Sequence, residues 1–370
     1  RYGVDNVFKL PEIQTQCQKN KKEWNFKKLS NILSQKDLTV ISGIDEYVNN
    51  EIQVECNSCG NNFETYPSYM IRCYVCYPKY SSTMEQELYE FLCGLGLEGD
   101  IIRNDRSIIN PYEIDIVLPE YKIAIEIGGL YWHSERNGKD KNYHRKKMDL
   151  VNSQGLRLIT IFEDEWMHKQ NIVKHRLIHQ LNLYRSEKIH ARKCMIREIS
   201  VSEYHKFLEK YHIQGYVPSK IKIGSFYDNK LVAVMGFGKT RIALGNNSKN
   251  GYELLRYASS VISSGLPNKM FRFFVNNYDV NQIISYCDLR WGNGGLYRRL
   301  GFDEIGISKP NYWYFKDECH RHHRYNFRKH VLKQFDNYHD DKTEFQIMDE
   351  LGYTRIWDCG HSKWLWINNE

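Results

Sequence analysis

The amino-acid sequence predicts a multidomain α/β (α+β) protein with more than one mixed sheet. Its 370 residues exceed the usual size of a single core, and one domain per ~150 residues gives two or three domains. Hydrophobic residues make up 41% and charged residues 26%, which is the composition of globular domains rather than of a disordered chain. Segments with helical periodicity alternate with short β-branched runs, the pattern of sheets covered by helices.

Charge and hydropathy narrow the classes of partner. No apolar run reaches the roughly 18 residues that a transmembrane helix needs, and the N-terminal residues lack the apolar core of a signal peptide. We therefore expect a cytoplasmic protein without a membrane partner. The net charge of +7 fits nucleic-acid binding, but only weakly, because many proteins without that role carry a similar excess.

Two CxxC pairs predict a zinc site within residues 51–80. Cys56 and Cys59 form the first pair, and Cys73 and Cys76 form the second after a gap of 13 residues. Each pair supplies two thiolates from one tight turn, so together they complete a closed tetrahedral Zn²⁺ site. A closed site supports folding rather than catalysis. The segment resembles the zinc-ribbon modules that precede nuclease domains in phage proteins. Residues 1–50 are a polar, basic arm that either touches DNA or is a solvated lead-in.

A separate domain is predicted over residues 81–186. Its apolar residues follow helical spacing in some segments and strand-like alternation in others, which gives an α/β unit with a central mixed sheet. The expected elements are a helix over 82–97, strands over 113–119 and 121–133, a helix over 140–154, a strand over 157–162 and a helix to about 184.

Two carboxylates in this domain lie on strands that are otherwise apolar. Asp115 is flanked by isoleucines, and Glu126 lies in the next strand. A hairpin places the two side by side at one end of the sheet, where their repulsion is relieved by a hard divalent cation such as Mg²⁺. The alternative is that each carboxylate pairs with a lysine or arginine at a strand edge.

Further residues around these carboxylates carry a family resemblance. Asp115 is followed by Pro119, and the strand after it runs into an aromatic-Trp-His sequence that ends at His133. In this combination residues 80–170 resemble the PD-(D/E)xK, or restriction-nuclease, superfamily. The likeness is strongest to the very-short-patch mismatch-repair (Vsr-like) endonucleases and the EDxHD phage homing endonucleases. It implies a restriction-endonuclease-like core, bound Mg²⁺ and catalytic roles for Asp115, Glu126 and His133.

One position departs from the superfamily pattern. Glu126 is followed by Ile-Gly where the superfamily has x-Lys, so the usual lysine is missing from the strand. We expect His133 to replace it as general base or phosphate contact, because imidazole titrates near pH 7. His144 and Lys147 lie one helical turn apart, and they either reach the phosphate or belong to a solvated basic helix face. The resemblance adds Glu85, on the preceding helix, as a third carboxylate.

The C-terminal part, residues 187–370, resembles the N-acetyltransferase (GNAT) fold in its order of strands and helices. A hairpin is expected to turn at Asp228-Asn229, and the last residues look like a closing hairpin. Acetyl transfer needs a glycine-rich loop whose amides hold a pyrophosphate. The matching segment, Ser263–Met270, has one glycine and a proline, which removes an amide donor. We therefore predict a GNAT-like module reused for DNA binding.

A basic stripe near the C-terminus is the candidate DNA contact. Its positive residues alternate with Tyr325 and Phe327, which suits phosphate contacts that carry no sequence information. A solvated helix face is the alternative. The basic residues are Arg321, Arg324, Arg328, Lys329 and Lys333.

Together these features predict a metal-dependent DNA endonuclease that hydrolyses phosphodiester bonds in double-stranded DNA. By resemblance it is a phage or mobile-element homing endonuclease with catalytic Mg²⁺ and structural Zn²⁺, and no small-molecule substrate is expected. The alternatives are a mismatch-nicking or restriction-type nuclease, an acetyltransferase, and a non-catalytic DNA-binding protein. The target sequence, the number of strands cut and the oligomeric state stay open.

Overall fold

Helices and strands alternate along the chain and form several sheets, so the predicted mixed α/β multidomain class is confirmed. The computed structural model divides into two units, residues 1–90 and residues 91–370. No helix in the described ranges is long and apolar enough to cross a membrane. Those ranges are residues 26–31, 33–34, 38–42, 52–65, 73, 82–183, 188–240, 250–316, 319–335 and 337–368.

The N-terminal unit contains a small antiparallel sheet. Ile52, Val54 and Cys56 are buried and the two residues between them are partly exposed, which is the alternation of a strand with one face in a core. Leu33 and Leu38 complete this core. The strands, in sheet order, are β1 (Leu38–Val40), β2 (Ile52–Cys56) and β3 (Asn62–Thr65).

Helix α1, Thr83–Cys93, begins at a serine cap. The backbone N–H of Glu85 donates to Ser82 Oγ at 3.1 Å. The helix is shorter than the predicted 82–97, because the chain turns after Cys93 and Gly96, three residues further on, adopts a φ of +67°. Leu88 and Leu92 are fully buried, as the apolar stripe of this helix predicts.

A four-stranded mixed sheet belongs to the second unit. Its two central strands are almost entirely buried, which explains their runs of aliphatic and β-branched residues. The first three strands are antiparallel, while the third and fourth are parallel and need a helical crossover. The elements are β4 (Ile102–Asp105), β5 (Ile114–Leu118), β6 (Ile123–Gly128), α2 (Tyr143–Ser153), β7 (Arg157–Phe162) and α3 (Glu163–Gln180), which kinks at Lys169.

A seven-stranded sheet forms the core of the C-terminal part. The hairpin turn predicted at Asp228-Asn229 is present, with both residues at positive φ, 48° and 59°. The elements are β8 (Ile189–His190), β9 (Met195–Glu198), α4 (Val201–Tyr211), β10 (Ile221–Tyr227), β11 (Lys230–Lys239), β12 (Gly251–Ser259), β13 (Ser263–Ser264), α5 (Leu266–Asn277), β14 (Gln282–Asp288), α6 (Gly295–Leu300) and β15 (Asp303–Ile307), to which the chain adds β19 (His361–Ile367). The sheet order is β15-β19-β14-β12-β11-β10-β9.

The last segments form a separate three-stranded sheet, and the predicted closing hairpin is wrong. The two final strands lie in different sheets, because the chain turns between them at a buried carboxylate. Asp358 accepts hydrogen bonds from the N–H groups of Asn311 and Gly360, at 2.6 and 2.8 Å. The remaining elements are β16 (Tyr312–Phe315), β17 (His322–His323), α7 (Lys329–Leu332), α8 (Glu344–Glu350) and β18 (Thr354–Trp357), with sheet order β17-β16-β18.

Candidate active site

The two predicted carboxylates lie on neighbouring antiparallel strands. β5 and β6 pair Ile116 with Ile125, and the same register, extended by one residue, sets Asp115 opposite Glu126. Asp115 Oδ2 accepts a hydrogen bond from the Ile127 backbone N–H at 2.7 Å, which fixes the side chain at this end of the sheet. The structure therefore brings the two carboxylates together.

Glu126 is a buried carboxylate with one oxygen left over. Its side chain is 3% exposed, and Lys147 Nζ donates a hydrogen bond to Oε1. Oε2 is buried and has no hydrogen-bond partner among the described residues. Burial raises the pKa of Glu126, and the nearby Lys147 ammonium partly offsets this. An unpartnered oxygen beside a second carboxylate fits a hard divalent cation, which the free lone pairs of that oxygen would coordinate.

Helix α2 supplies two more site residues. His144 and Lys147 are both buried, so the solvated-face interpretation does not hold for them. Burial lowers the pKa of Lys147, but the carboxylate of Glu126 outweighs it, so the pKa is raised overall and the amine stays protonated. His144 has a pKa well below its usual value, because it is buried and His133 and Lys147 lie close to it.

His133 lies in a turn rather than in a strand. The predicted strand over 121–133 ends at Gly128, and the His133 N–H donates to Gly129 O at 3.0 Å. His133 Nδ1 lies 3.0 Å from His144 Nε2, and His133 Nε2 lies 3.8 Å from Glu126 Oε1. Burial, with Lys147 and Lys139 nearby, lowers the pKa of His133 to about 3, so the imidazole is neutral at pH 7.

The loop that carries His133 is held by β18. Glu135 accepts hydrogen bonds from Arg355 Nε and Trp357 Nε1, both at 2.7 Å. Ser134 forms a β-bridge with Ile356. These residues were not predicted, because they come from opposite ends of the second unit and no local pattern links them.

A buried ion network lies behind the site. Arg290 pairs with Glu165 and Asp288 at 3.0 and 2.9 Å, and its guanidinium lies 4.6 Å from the centre of the Phe162 ring. The same ring meets His144 edge-on at 5.4 Å. The network thus connects the C-terminal part to the wall of the candidate site.

The prediction that Arg321 contacts DNA needs correction. Its side chain is 8% exposed and pairs with Asp164 at 2.7 Å and Glu165 at 3.0 Å. It also lies over the Phe162 ring at 4.1 Å. A guanidinium that is buried and already paired is not available to a phosphate group.

The other members of the basic stripe stay at or near the surface. Arg324 and Lys333 are exposed, and Arg328 stacks on Tyr325 at 3.4 Å. Lys329 is also exposed and donates to the Asp340 carbonyl at 2.6 Å. These four residues keep the predicted role in DNA binding as a proposal.

Three of the four predicted zinc ligands lie together in the N-terminal unit. The sulfurs of Cys56, Cys59 and Cys73 are all within 4.8 Å of one another, and Cys59 Sγ lies 3.5 Å from Cys73 Sγ. Three converging thiols fit three corners of a tetrahedral Zn²⁺ site. Cys76 lies outside the described residues.

Glu85 belongs to the N-terminal unit. It lies in the first turn of α1, where its backbone is held by the Ser82 cap. A carboxylate in this position is stabilised by the helix dipole. Its predicted part in the active site stays a prediction.

Comparison with known proteins gives partial similarities. No family model and no curated protein matches the chain. Among solved structures, the catalytic domain of the homing endonuclease I-Bth0305I is 25% identical, with 29% of this chain and 100% of that chain covered and a TM-score of 0.23. An acetyltransferase of Bacillus subtilis in complex with CoA is 13% identical, with 48% of this chain and 98% of that chain covered and a TM-score of 0.26. A GNAT-family acetyltransferase of Bacillus cereus is 9% identical, with coverages of 48% and 99% and a TM-score of 0.26.

Proposed function

We propose that this chain is a metal-dependent DNA endonuclease of the homing type. The observation that carries the proposal is the convergence of Glu126, Asp115, Lys147 and His133 at one end of a mixed sheet. Two acidic groups, one fixed cation and one neutral imidazole are the functional groups that phosphodiester hydrolysis uses. The motif around Asp115 and His133 supports the same function by its resemblance to the EDxHD nucleases.

Asp115 and Glu126 are the proposed ligands of the catalytic Mg²⁺. The buried, unpartnered Oε2 of Glu126 is the feature of this chain that fits the ion. When bound, Mg²⁺ supplies Lewis-acid stabilisation of the charge on a scissile phosphate and lowers the pKa of water.

The protein's own side chains provide a fixed charge and a neutral imidazole. Lys147 stays protonated beside Glu126, so it contributes a fixed positive charge in a place screened from solvent. His133 is neutral at pH 7, but a ring whose pKa is about 3 is a weak base, so the predicted role of phosphate contact fits it better than that of general base. Because His133 Nδ1 and His144 Nε2 share one hydrogen bond, His144 is a positioning residue that orients the imidazole.

Double-stranded DNA is the proposed partner. Arg324, Arg328, Lys329 and Lys333 lie at or near the surface and suit contacts with phosphate groups, which position a duplex without reading its sequence. Along the sequence a zinc module precedes the catalytic core and the C-terminal part follows it, and extra modules suit a longer recognition site. A longer recognition site favours the homing endonuclease over a mismatch-nicking enzyme.

A cleavage assay on genomic and plasmid DNA tests the proposal. Mg²⁺ should be omitted from the control rather than chelated, since a chelator also removes zinc. We expect cleavage only with added Mg²⁺ and a loss of about 100-fold or more in Glu126→Gln, at the upper end of what a disturbed metal shell costs. Glu120→Gln, at an exposed position, should cleave like the wild type. Cleavage without Mg²⁺, or full activity of Glu126→Gln, would contradict the proposal.

A further inference from the structure

Strand β15 lies at one edge of the seven-stranded sheet and is exposed along its whole length. Its inner side pairs with β19, and no other strand in the described ranges pairs with its outer side. All of its residues are exposed, and so are Ser308 and Lys309 directly after it. Neither face of the strand is therefore packed against the core, and its outer row of backbone N–H and C=O groups is a template for another strand.

Two isoleucines on this edge are in contact with water. Ile305 is 46% exposed and Ile307 is 52% exposed. The register with β19 passes from Glu304 to Gly306, so Ile305 lies at a β-bulge and has no residue opposite it in that strand. A further strand added to the sheet would cover both aliphatic side chains, which favours an occupant that is itself apolar at these positions.

The sequence of this edge has a two-fold pattern centred on Gly306. Outward from that glycine, the residues on the two sides are isoleucine and isoleucine, then glutamate and serine, then aspartate and lysine. An antiparallel second copy of the strand, with the two glycines opposite each other, places Ile305 opposite Ile307 and Asp303 opposite Lys309, each pair occurring twice. Burial of the isoleucines and pairing of opposite charges both stabilise such a contact.

The charged ends of the strand select this occupant over others. Within the described part of the chain, neither Asp303 nor Lys309 forms an ion pair. Charged residues on an edge strand normally discourage pairing with another strand. Here the two charges have opposite signs and lie equally far from Gly306, so an antiparallel copy of the same strand converts both into attractions.

We propose that β15 is the contact between two copies of this chain, which join their seven-stranded sheets edge to edge around a two-fold axis at Gly306. Such a contact uses the same residues in both copies, as the commonest homodimers do. Because it consists of one short strand from each chain, the interface is smaller than that of an obligate dimer, and the association is reversible. The proposal does not depend on the nuclease function.

Sedimentation equilibrium of the full chain tests the proposal. A reducing agent in the buffer prevents the exposed cysteines from cross-linking two copies. We expect an equilibrium between monomer and dimer at protein concentrations up to about 1 mM, since a small interface gives weak affinity. A chain that stays monomeric over this whole range overturns the proposal.

Charge reversal decides whether β15 is the contact. In a dimer of Asp303→Lys, lysine faces lysine at both ends of the paired strands, and in a dimer of Lys309→Asp, aspartate faces aspartate. Each variant should dimerise about tenfold more weakly than the wild type, because two attractive pairs become repulsive. An equimolar mixture of the two variants restores both pairs of opposite charge and should dimerise about as well as the wild type. Recovery on mixing also excludes misfolding as the cause of the weaker association.

Two control variants keep the test specific. Met195→Lys adds a charge at an exposed position of β9, the opposite edge of the same sheet, and should dimerise normally. Glu304→Gln lies in β15 but faces the neutral Ser308 of the second copy, so it should also dimerise normally. The proposal is overturned if neither charge reversal weakens the dimer, if the mixture dimerises no better than each variant alone, or if Met195→Lys weakens the dimer equally.

Discussion

Lys147 reaches Glu126 from helix α2, 21 residues further along the chain, instead of from the strand that carries Glu126. The reason lies at Gly128, which shares one face of β6 with Glu126. A Cβ atom at Gly128 would lie 3.1 Å from a ring carbon of Phe162 and 3.5 Å from His133 Nδ1. This face of the strand is already filled, so a lysine has no room there and the helix supplies the ammonium group.

Replacing Lys147 by methionine should destabilise the folded chain strongly. The change leaves the carboxylate of Glu126 buried without its cation, and breaking such a pair costs about 3–5 kcal/mol. The free energy of unfolding in urea measures the effect. Lys146→Met is the matched control, because Lys146 is 58% exposed and its surface pair with Asp140 contributes about 1 kcal/mol at most. Equal effects of the two substitutions would show that Lys147 is not buried against Glu126.

The buried histidines predict a pH dependence of stability. Burial holds the pKa of His133 at about 3 and that of His144 well below its usual value. Below pH 6.5 the unfolded chain takes up protons at these residues and the folded chain does not, so acid favours unfolding. Each histidine should lower the free energy of unfolding by about 2 kcal/mol as the pH falls from 6.5 to 5. Urea unfolding across this range in metal-free buffer should show a shallower slope for His144→Gln than for His175→Gln, whose side chain is exposed. Identical slopes would rule out a buried neutral His144.

At the level of elements, the turn between β6 and α2 depends on a strand from the far end of the chain. Glu135 joins it to β18 through Arg355 and Trp357. Glu135→Gln should reduce DNA cleavage by about 10–100-fold, as loss of an outer support of a metal site does, because the turn positions His133. Affinity for DNA should stay near that of the wild type. Glu304→Gln on the exposed strand β15 is the control, and an unchanged cleavage rate in Glu135→Gln would mean that β18 does not position the turn.

Zinc should determine whether the N-terminal sheet folds. The core around Ile52 and Val54 is small, so the metal site is expected to supply much of the stability of this sheet. Elemental analysis should find about one zinc per chain in the wild type and much less in Cys59→Ser. Cys93→Ser, in helix α1 and outside the cysteine group, should keep its zinc. Zinc retained by Cys59→Ser would argue against the site.

At the scale of the whole molecule, buried charges link the seven-stranded and four-stranded sheets of the second unit. Arg290 follows β14 of the seven-stranded sheet and pairs with Glu165 at the start of α3, next to the four-stranded sheet. The guanidinium of Arg290 also lies over the Phe162 ring, and the same ring contacts His144 in the candidate site. The C-terminal part therefore contributes to the wall of the proposed nuclease site.

The sequence predicted those features that depend on residues close together in the chain. The strand Arg157–Phe162, the turn at Asp228-Asn229 and the pairing of Asp115 with Glu126 on adjacent strands all follow from neighbours in the chain. Features that depend on tertiary contacts were missed or left open. Burial of Lys147 depends on how α2 packs on the sheet, and burial of Arg321 depends on acids more than 150 residues away. Strands β18 and β19 lie in different sheets because Asp358, which lies between them, accepts a hydrogen bond from the distant Asn311.

The rate of DNA cleavage by Asp115→Asn at saturating Mg²⁺ tests the central claim most directly. The substitution removes one negative charge from the proposed metal site and keeps the shape of the side chain. We expect the rate to fall about 100-fold or more, with DNA affinity retained in a gel-shift assay, while Asp149→Asn, an exposed acid paired with Arg145, stays near the wild-type rate. Cleavage by Asp115→Asn at the wild-type rate would contradict the account, and a wild-type protein that binds DNA tightly but cuts none would identify a non-catalytic DNA-binding protein.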